Sequence, residues 1–291
     1  MFTMTNKKLS ALNAGTVKLG NFKVNRLGFG AMRITGEGIW GPPSDVVEAR
    51  EVLQRAVDLD VNFIDTADAY GPAVSEQLIH DTLHPYDGLI IATKGGMVRG
   101  GPGQWQPDGR PNHIRAACDK SLDRLSVERI TLYQFHRPDP KVPFETTLKA
   151  FINLKHEGKI RYIGLSNVSL EQLKRALEFT QVVSVQNHYN FEHRKASDPV
   201  VDFCEAKGIA FIPYFPLGGG TSDYSQDVTR AIADKHDITV HQLALAWALA
   251  RSPVMLPIPG TSSIKHLEEN IAAAGVELDT DDMARLATLS D

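Results

Sequence analysis

Three apolar runs of the chain each end in a residue able to exchange a proton. Asp65 follows Val61-Asn62-Phe63-Ile64, Lys94 follows Leu89-Ile90-Ile91-Ala92-Thr93, and His136 follows Ile130-Thr131-Leu132-Tyr133-Gln134-Phe135. A phenol, Tyr70, comes five residues after Asp65, just before Gly71-Pro72 turns the chain. A tyrosine is a weak proton donor at neutral pH because its ordinary pKa is about 10. A lysine cation beside it would stabilise phenolate and lower that value, and an aspartate paired with the lysine would keep it charged and in place. His136 could orient a carbonyl oxygen or relay a proton beside the same phenol. Taken singly, each residue reads as polar trim at a strand end. Acting together, they require a fold that gathers several strand ends at one place.

The rest of the chain has the pattern of such a fold. Thr16-Val17-Lys18-Leu19 and Phe22-Lys23-Val24-Asn25 flank Gly20-Asn21 as a hairpin that could plug one end of a barrel. A first strand is expected over Arg26 to Met32, with Gly28 and Gly30 permitting close packing. These two glycines match half of a dinucleotide fingerprint, but no helix and third glycine follow at the right place. Ser44 or Asp45 then caps a helix with the stripe Val46, Ala49, Val52, Leu53, Ala56 and Val57. Further strands are expected over 61–65, 89–94, 130–136, 162–167, 182–186, 209–214 and 254–258, alternating with helical patterns. Ser169 with Gln172, and Thr239 with Gln242, have capping-box spacing.

Eight βα units predict a parallel sheet closed as a (β/α)8 TIM barrel with an N-terminal β-hairpin. The competing arrangement is an open doubly wound sheet, which lacks its usual glycine-rich signature here. No linker interrupts the pattern, so residues 1–291 read as a single domain. Leu217 to Ile238 forms an insertion with Gly218-Gly219-Gly220, a short helix about Val228, Ala231 and Ile232, and freedom to move.

Composition narrows the function. Apolar residues make up 42% and charged residues 23%, which excludes a disordered or fibrous chain, and the net charge of −4 argues against broad nucleic-acid binding. Cys118 and Cys204 fall in helical stripes without ligand spacing, as expected of reduced core residues, and the scattered histidines point to no metal. No apolar run reaches the ~18 residues of a membrane span, and Met1 to Ser10 lacks a signal-peptide core. A cytoplasmic protein is the expectation. The oligomeric state is not readable.

In closed α/β barrels the C-terminal strand ends surround the active site. Here they carry Asp65 with Tyr70, Lys94, His136, Ser166 with Asn167, Gln186 with His188, Tyr214, and Gly260-Thr261-Ser262-Ser263. Asp65 to Gly71, Ala92-Thr93-Lys94-Gly95 and Gln134-Phe135-His136-Arg137 resemble, in order and context, the catalytic tetrad of the aldo-keto reductases. The likeness extends through Gly158 to Asn167, Gln186 to Asn190, Tyr214 to Gly220, and Ile258 through Asn270.

The resemblance implies reduction of an aldehyde or ketone by hydride from NADPH, with Tyr70 as general acid tuned by Lys94 and Asp65. It implies that Ser166, Asn167 and Gln186 bind the carboxamide, Tyr214 stacks on the nicotinamide, and Leu217 and Gly218 contact the cofactor. Gly260, Thr261, Ser262 and Ser263 open a helix whose free N–H groups suit a phosphate. Lys265 would assist there, and Glu269 and Asn270 would meet adenine. Gly260 and His266 stand where relatives are often basic, so NADH use is also open. Met32, Trp40 and Trp105 are the substrate-binding candidates. The Trp40 loop and Gly100 to Trp105 look similar to microbial pyridoxal reductases of this family, implying pyridoxal reduction to pyridoxine. Two other functions compete: a Schiff-base aldolase using Lys94, and a cofactor-binding sensor or accessory subunit with little turnover.

Overall fold

The computed structural model describes residues 8–216, 218 and 227–289. Strands β1 (Thr16–Leu19) and β2 (Phe22–Asn25) pair antiparallel as the expected hairpin. Val17, Leu19 and Val24 are buried, and the Asn21 amide donates to the Tyr162 hydroxyl at 3.0 Å. Gly20 lies so close to the Tyr162 ring that a Cβ there would sit 2.3 Å from it.

Seven strands form one parallel sheet among the described residues. In chain order they are β3 (Phe29–Gly30), β4 (Phe63–Asp65), β5 (Ile90–Gly95), β8 (Ile130–Phe135), β9 (Ile160–Ser166), β10 (Val182–His188) and β11 (Ala210–Tyr214), each beside its predecessor. Their residues are buried almost throughout, as a parallel sheet covered on both sides requires. Chain segment 254–259 then joins the two free edges. On one side Phe211 N donates to Val254 O at 2.9 Å and Leu256 N to Phe211 O at 2.8 Å; on the other, Gly28 N donates to Pro257 O at 2.9 Å. The sheet is thereby closed into a TIM barrel with segment 254–259 as its eighth stave.

Two expected strands are shorter or less regular than their sequences imply. Residues 254–258 form only an isolated bridge between Met255 and Phe211, because Pro257 and Pro259 have no N–H to give the neighbouring stave. The first strand contracts from Arg26–Met32 to Phe29–Gly30 and passes into a 3₁₀ turn at Ala31–Ile34. Arg26 is engaged elsewhere, its guanidinium donating to the carbonyls of Met255, Leu249 and Ser252. A third difference is a gain. The glycine-rich stretch after β5, expected as loop, is a second antiparallel hairpin of β6 (Met97–Gly101) and β7 (Gln104–Pro107).

The outer layer contains α1 (Val46–Asp58), α2 (Val74–Leu83), α3 (Pro111–Leu125), α4 (Phe144–His156), α5 (Leu170–Leu177), α6 (Asp198–Lys207), α7 (Asp227–His236), α8 (Val240–Arg251), α9 (Ile264–Ala272) and α10 (Thr280–Ala287). Asp45 is the cap of α1, accepting from Glu48 N. Ala49, Val52, Leu53 and Ala56 turn inward, whereas Val46 is exposed and Val57 is only half-buried at the edge of the stripe. Both capping boxes form, at Ser169/Gln172 and Thr239/Gln242. Cys118 on α3 and Cys204 on α6 are buried free thiols, pushed by burial up to about 12. Part of the predicted insertion, residues 217 and 219–226, lies outside the described residues; α7 occupies the place of its short helix.

Closure depends on glycine at the last contact. A Cβ on Gly30 would lie 2.6 Å from Ile258 O, and one on Gly260 2.3 Å from Gly30 O. Gly30→Ala forces the first and eighth staves apart. The expected cost is about 1–3 kcal/mol, the usual range for overpacking, seen as a thermal midpoint several degrees below that of the parent in a calorimetric scan.

Candidate active site

Parallel register gathers the reactive residues on one rim. Asp65 pairs with Ala92 across β4 and β5, Lys94 pairs with Gln134 across β5 and β8, and His136 directly follows β8. Lys94 is fully buried and Asp65 almost so. The ammonium donates to Asp65 Oδ1 at 2.5 Å, to Thr66 O at 3.0 Å and to the Tyr70 hydroxyl at 3.1 Å, which engages each of its three protons. The other carboxylate oxygen, Oδ2, accepts from Gln134 Nε2 at 2.8 Å and Gln186 Nε2 at 2.9 Å. Gln186 also donates to Gln134 Oε1 at 3.2 Å, so the two amides brace one another.

Burial and charge set the protonation states. Desolvation works against the Lys94 cation, but Asp65 and Tyr70 outweigh it and hold the ammonium above its ordinary value. Burial pushes the Tyr70 phenol up, and the opposing pull of Lys94 only limits the rise. The expected lowering of Tyr70 is therefore corrected: with the phenol sealed at 7% exposure, desolvation exceeds the effect of its cationic neighbour. Burial, aided by Lys94 and Arg137, drives His136 well below its usual range and keeps the imidazole neutral. A saturated, protonated and enclosed Lys94 is not available as a nucleophile, which removes the Schiff-base reading.

Tyr70, His136 and Trp105 face one another edge-to-face, with ring centroids 6.1 to 6.3 Å apart. They line a cavity of about 650 Å³ together with Met32, Met97 and Pro107. Trp105 reaches it from β7 in the unexpected hairpin. Trp40, expected in the pocket, is 37% exposed and outside the lining, where its neighbour Ile39 stands instead.

Arg99 explains how these loops hold together. Its guanidinium lies 3.7 Å from the Trp105 ring and donates to the carbonyls of Ile39, Ala69, Gly38, Gly101 and Gln104. One half-buried fork thus ties the Trp40 loop, the Tyr70 turn and the β6–β7 hairpin. Nothing in the sequence distinguishes Arg99 from a solvated loop cation.

On the opposite wall, Ser166, Asn167, Gln186 and Tyr214 converge as expected. Asn167 adopts the left-handed conformation (φ 59°), which asparagine tolerates better than most residues. Its Nδ2 donates to His136 O and Ser166 Oγ, and its Oδ1 accepts from Tyr214 and Arg137. The Tyr214 ring stacks on His188 at 5.4 Å and 14°. Gly218 is buried with φ 66°, whereas Leu217, expected to contact the cofactor beside it, lies outside the described residues. Gly260 lines the cavity; Thr261, Ser262, Ser263, Lys265, Glu269 and Asn270 continue along and into α9 beyond it. Ser263 makes no side-chain cap, although its own N–H donates to Thr261 Oγ1.

Comparison with known proteins places this arrangement. The model of the aldo/keto reductase family matches residues 26–291. An uncharacterized oxidoreductase of Schizosaccharomyces pombe is 49% identical, over 98% of this chain and 92% of its own. Pyridoxine 4-dehydrogenase of Escherichia coli is 40% identical, over 96% and 99%. Among solved structures, a thermostable aldo-keto reductase in complex with epalrestat has a TM-score of 0.82 at 30% identity, covering 94% of this chain and 99% of that one. An aldo-keto reductase of Klebsiella pneumoniae in complex with NADPH has a TM-score of 0.78 at 26% identity, covering 94% of each. The chain belongs to the aldo/keto reductase family and is an oxidoreductase.

Gln134, quoted above only as part of a motif, is fully buried and serves the Asp65 carboxylate directly. Gln134→Met keeps the side-chain volume while removing that donor. Leaving a buried charged acceptor short of one bond costs about 1–3 kcal/mol, to be measured by urea denaturation; an unchanged midpoint would show that Gln186 alone suffices.

Proposed function

We propose that the protein reduces aldehydes and ketones to alcohols with NADPH, that Tyr70 protonates the carbonyl oxygen, and that pyridoxal, giving pyridoxine, is its candidate substrate. The observation that carries this reading is the Tyr70 hydroxyl held 3.1 Å from the Lys94 ammonium at the wall of a cavity shared with His136 and Trp105.

The residues present fit the cofactor. Ser166 Oγ accepts from Asn167, leaving its own proton for a carboxamide oxygen. Gln186 gives its Nε2 to Asp65 and Gln134 and keeps Oε1 to accept a carboxamide N–H. Tyr214 is backed by His188 on one face, which suits its other face to a planar ring. Asn167 has both amide ends engaged within the chain, and so holds Ser166 and Tyr214 in place around the expected carboxamide position. The first turn of α9, uncapped by Ser263, suits a phosphate. A basic side chain at position 260 is excluded sterically by Gly30 O, and the Arg33 stem lies 3.6 Å from where that Cβ would be. Arg33, which lines the same cavity, thus brings a basic residue to the side where position 260 has none, and this supports NADPH.

Bound NADPH would supply the hydride. The chain does the rest. Lys94, fixed by Asp65, stabilises the phenolate left when Tyr70 gives up its proton. Neutral His136 orients the carbonyl oxygen toward that phenol, and Trp105 covers the reacting centre. The relationship to pyridoxine 4-dehydrogenase and the aromatic wall at Trp105 support pyridoxal.

NADPH oxidation over an aldehyde panel that includes pyridoxal tests the reading. Tyr70→Phe should lower kcat by at least about 100-fold, within the usual range for general acid catalysis, while NADPH affinity stays within about twofold. Because His136 remains neutral and Tyr70 protonated, the parent rate should hold between about pH 6 and 8. Full activity of Tyr70→Phe would refute the role of Tyr70; tight NADPH binding without turnover on any aldehyde would favour a sensor.

A further inference from the structure

We propose that Arg137 recognises an anionic oxygen on the body of the aldehyde, so that the enzyme selects aromatic aldehydes carrying a carboxylate or an ionised ring hydroxyl. The inference rests on the carbonyl-reductase reading above and names a feature of its substrate.

Arg137 follows His136, lines the same cavity and is exposed at its rim. Its Nη2 donates to Asn167 Oδ1 at 3.0 Å, a neutral acceptor. Among the described residues no carboxylate pairs with it. Asp65, the acid lining the cavity, is already saturated by Lys94, Gln134 and Gln186. Arg137 thus brings a positive charge to the cavity with no negative charge of the protein to meet it.

The position of that charge assigns it to the substrate. Arg33, the other arginine lining the cavity, has its stem by Gly260 where the first and eighth staves meet. Arg137 rises between the fourth and fifth staves, on the opposite side of the barrel and next to the Tyr70–His136 pair. Phosphates held at the first turn of α9 would lie at the Arg33 side. Trp105, Met97 and Pro107 line the same cavity, and they suit a flat apolar body rather than a second anion site. A planar ring with its aldehyde at Tyr70 would direct a ring oxygen toward the guanidinium, whose fork suits a carboxylate or phenolate. Pyridoxal has such an oxygen beside its aldehyde, acidified by the ring nitrogen.

The experiment compares kcat/KM for 4-carboxybenzaldehyde and its methyl ester, with NADPH, in the parent, Arg137→Gln and Arg137→Lys proteins. The ester is the more electrophilic aldehyde, so intrinsic reactivity cannot produce a carboxylate preference. In the parent, the carboxylate-to-ester ratio should be about 10 at low salt and shrink as salt screens the exposed cation. Arg137→Gln keeps a donor for Asn167 but loses the charge, and its ratio should fall to about 1; Arg137→Lys should retain most of the preference. A parent ratio of 1 or below, or an unchanged ratio in Arg137→Gln, overturns the inference while leaving carbonyl reduction intact. Failure of the parent to turn over either aldehyde, or pyridoxal, overturns the underlying reading instead.

Discussion

The buried ion pair between Lys94 and Asp65 is the constraint around which the rim is built. Two charges taken out of water lose several kcal/mol of hydration each, and their attraction repays this only when every remaining hydrogen-bonding position is filled. Here the filling is complete: Thr66 O and Tyr70 take the rest of the ammonium, and Gln134 and Gln186 take the second carboxylate oxygen. Thr66 and Tyr70 come from the turn after β4, Gln134 from β8 and Gln186 from β10, so the pair is satisfied only when these strands are in register. The arrangement that makes the charges tolerable also fixes the phenol.

That coupling explains why the phenol can be both enclosed and useful. Enclosure raises the cost of phenolate, and the same low-dielectric surroundings strengthen the ammonium that opposes it. The net rise of Tyr70 describes a resting site whose proton stays in place. Lys94 is then an electrostatic preorganiser, already oriented when negative charge develops on the oxygen, so no solvent need reorganise around it.

Much of this was legible in the sequence because strand ends are marked twice, once by apolar runs and again by the polar residue that stops them. Asp65, Lys94, His136, Ser166, Gln186 and Tyr214 all carry that double mark. The eighth stave was legible as a place but not as a regular strand, since Pro257 and Pro259 spare the fold a ladder that the apolar pattern alone would promise. Gln134 was hidden by its own neighbours: inside an apolar run an amide looks like a tolerated exception, and its purpose appears only when Asp65, 69 residues earlier, is brought to 2.8 Å. The β6–β7 hairpin escaped because glycine-rich sequence weakens strand propensity, while its stability comes from Arg99 reaching carbonyls of two distant loops.

Asn167 shows how binding surfaces on the two sides of the cavity become linked. A left-handed residue directly after β9 turns its amide back across the strand end, where one oxygen serves both Tyr214 and Arg137 while the nitrogen serves His136 O and Ser166. A change in how Arg137 is engaged therefore alters the acceptor that holds the Tyr214 hydroxyl, and with it the ring backed by His188. Because the amide has no spare donor or acceptor, it cannot absorb such a change by forming a new bond; it must share or release one. Occupancy at the guanidinium and the orientation of the aromatic floor are in this way two readings of the same hydrogen-bond balance, and the coupling requires no movement of the barrel beneath them.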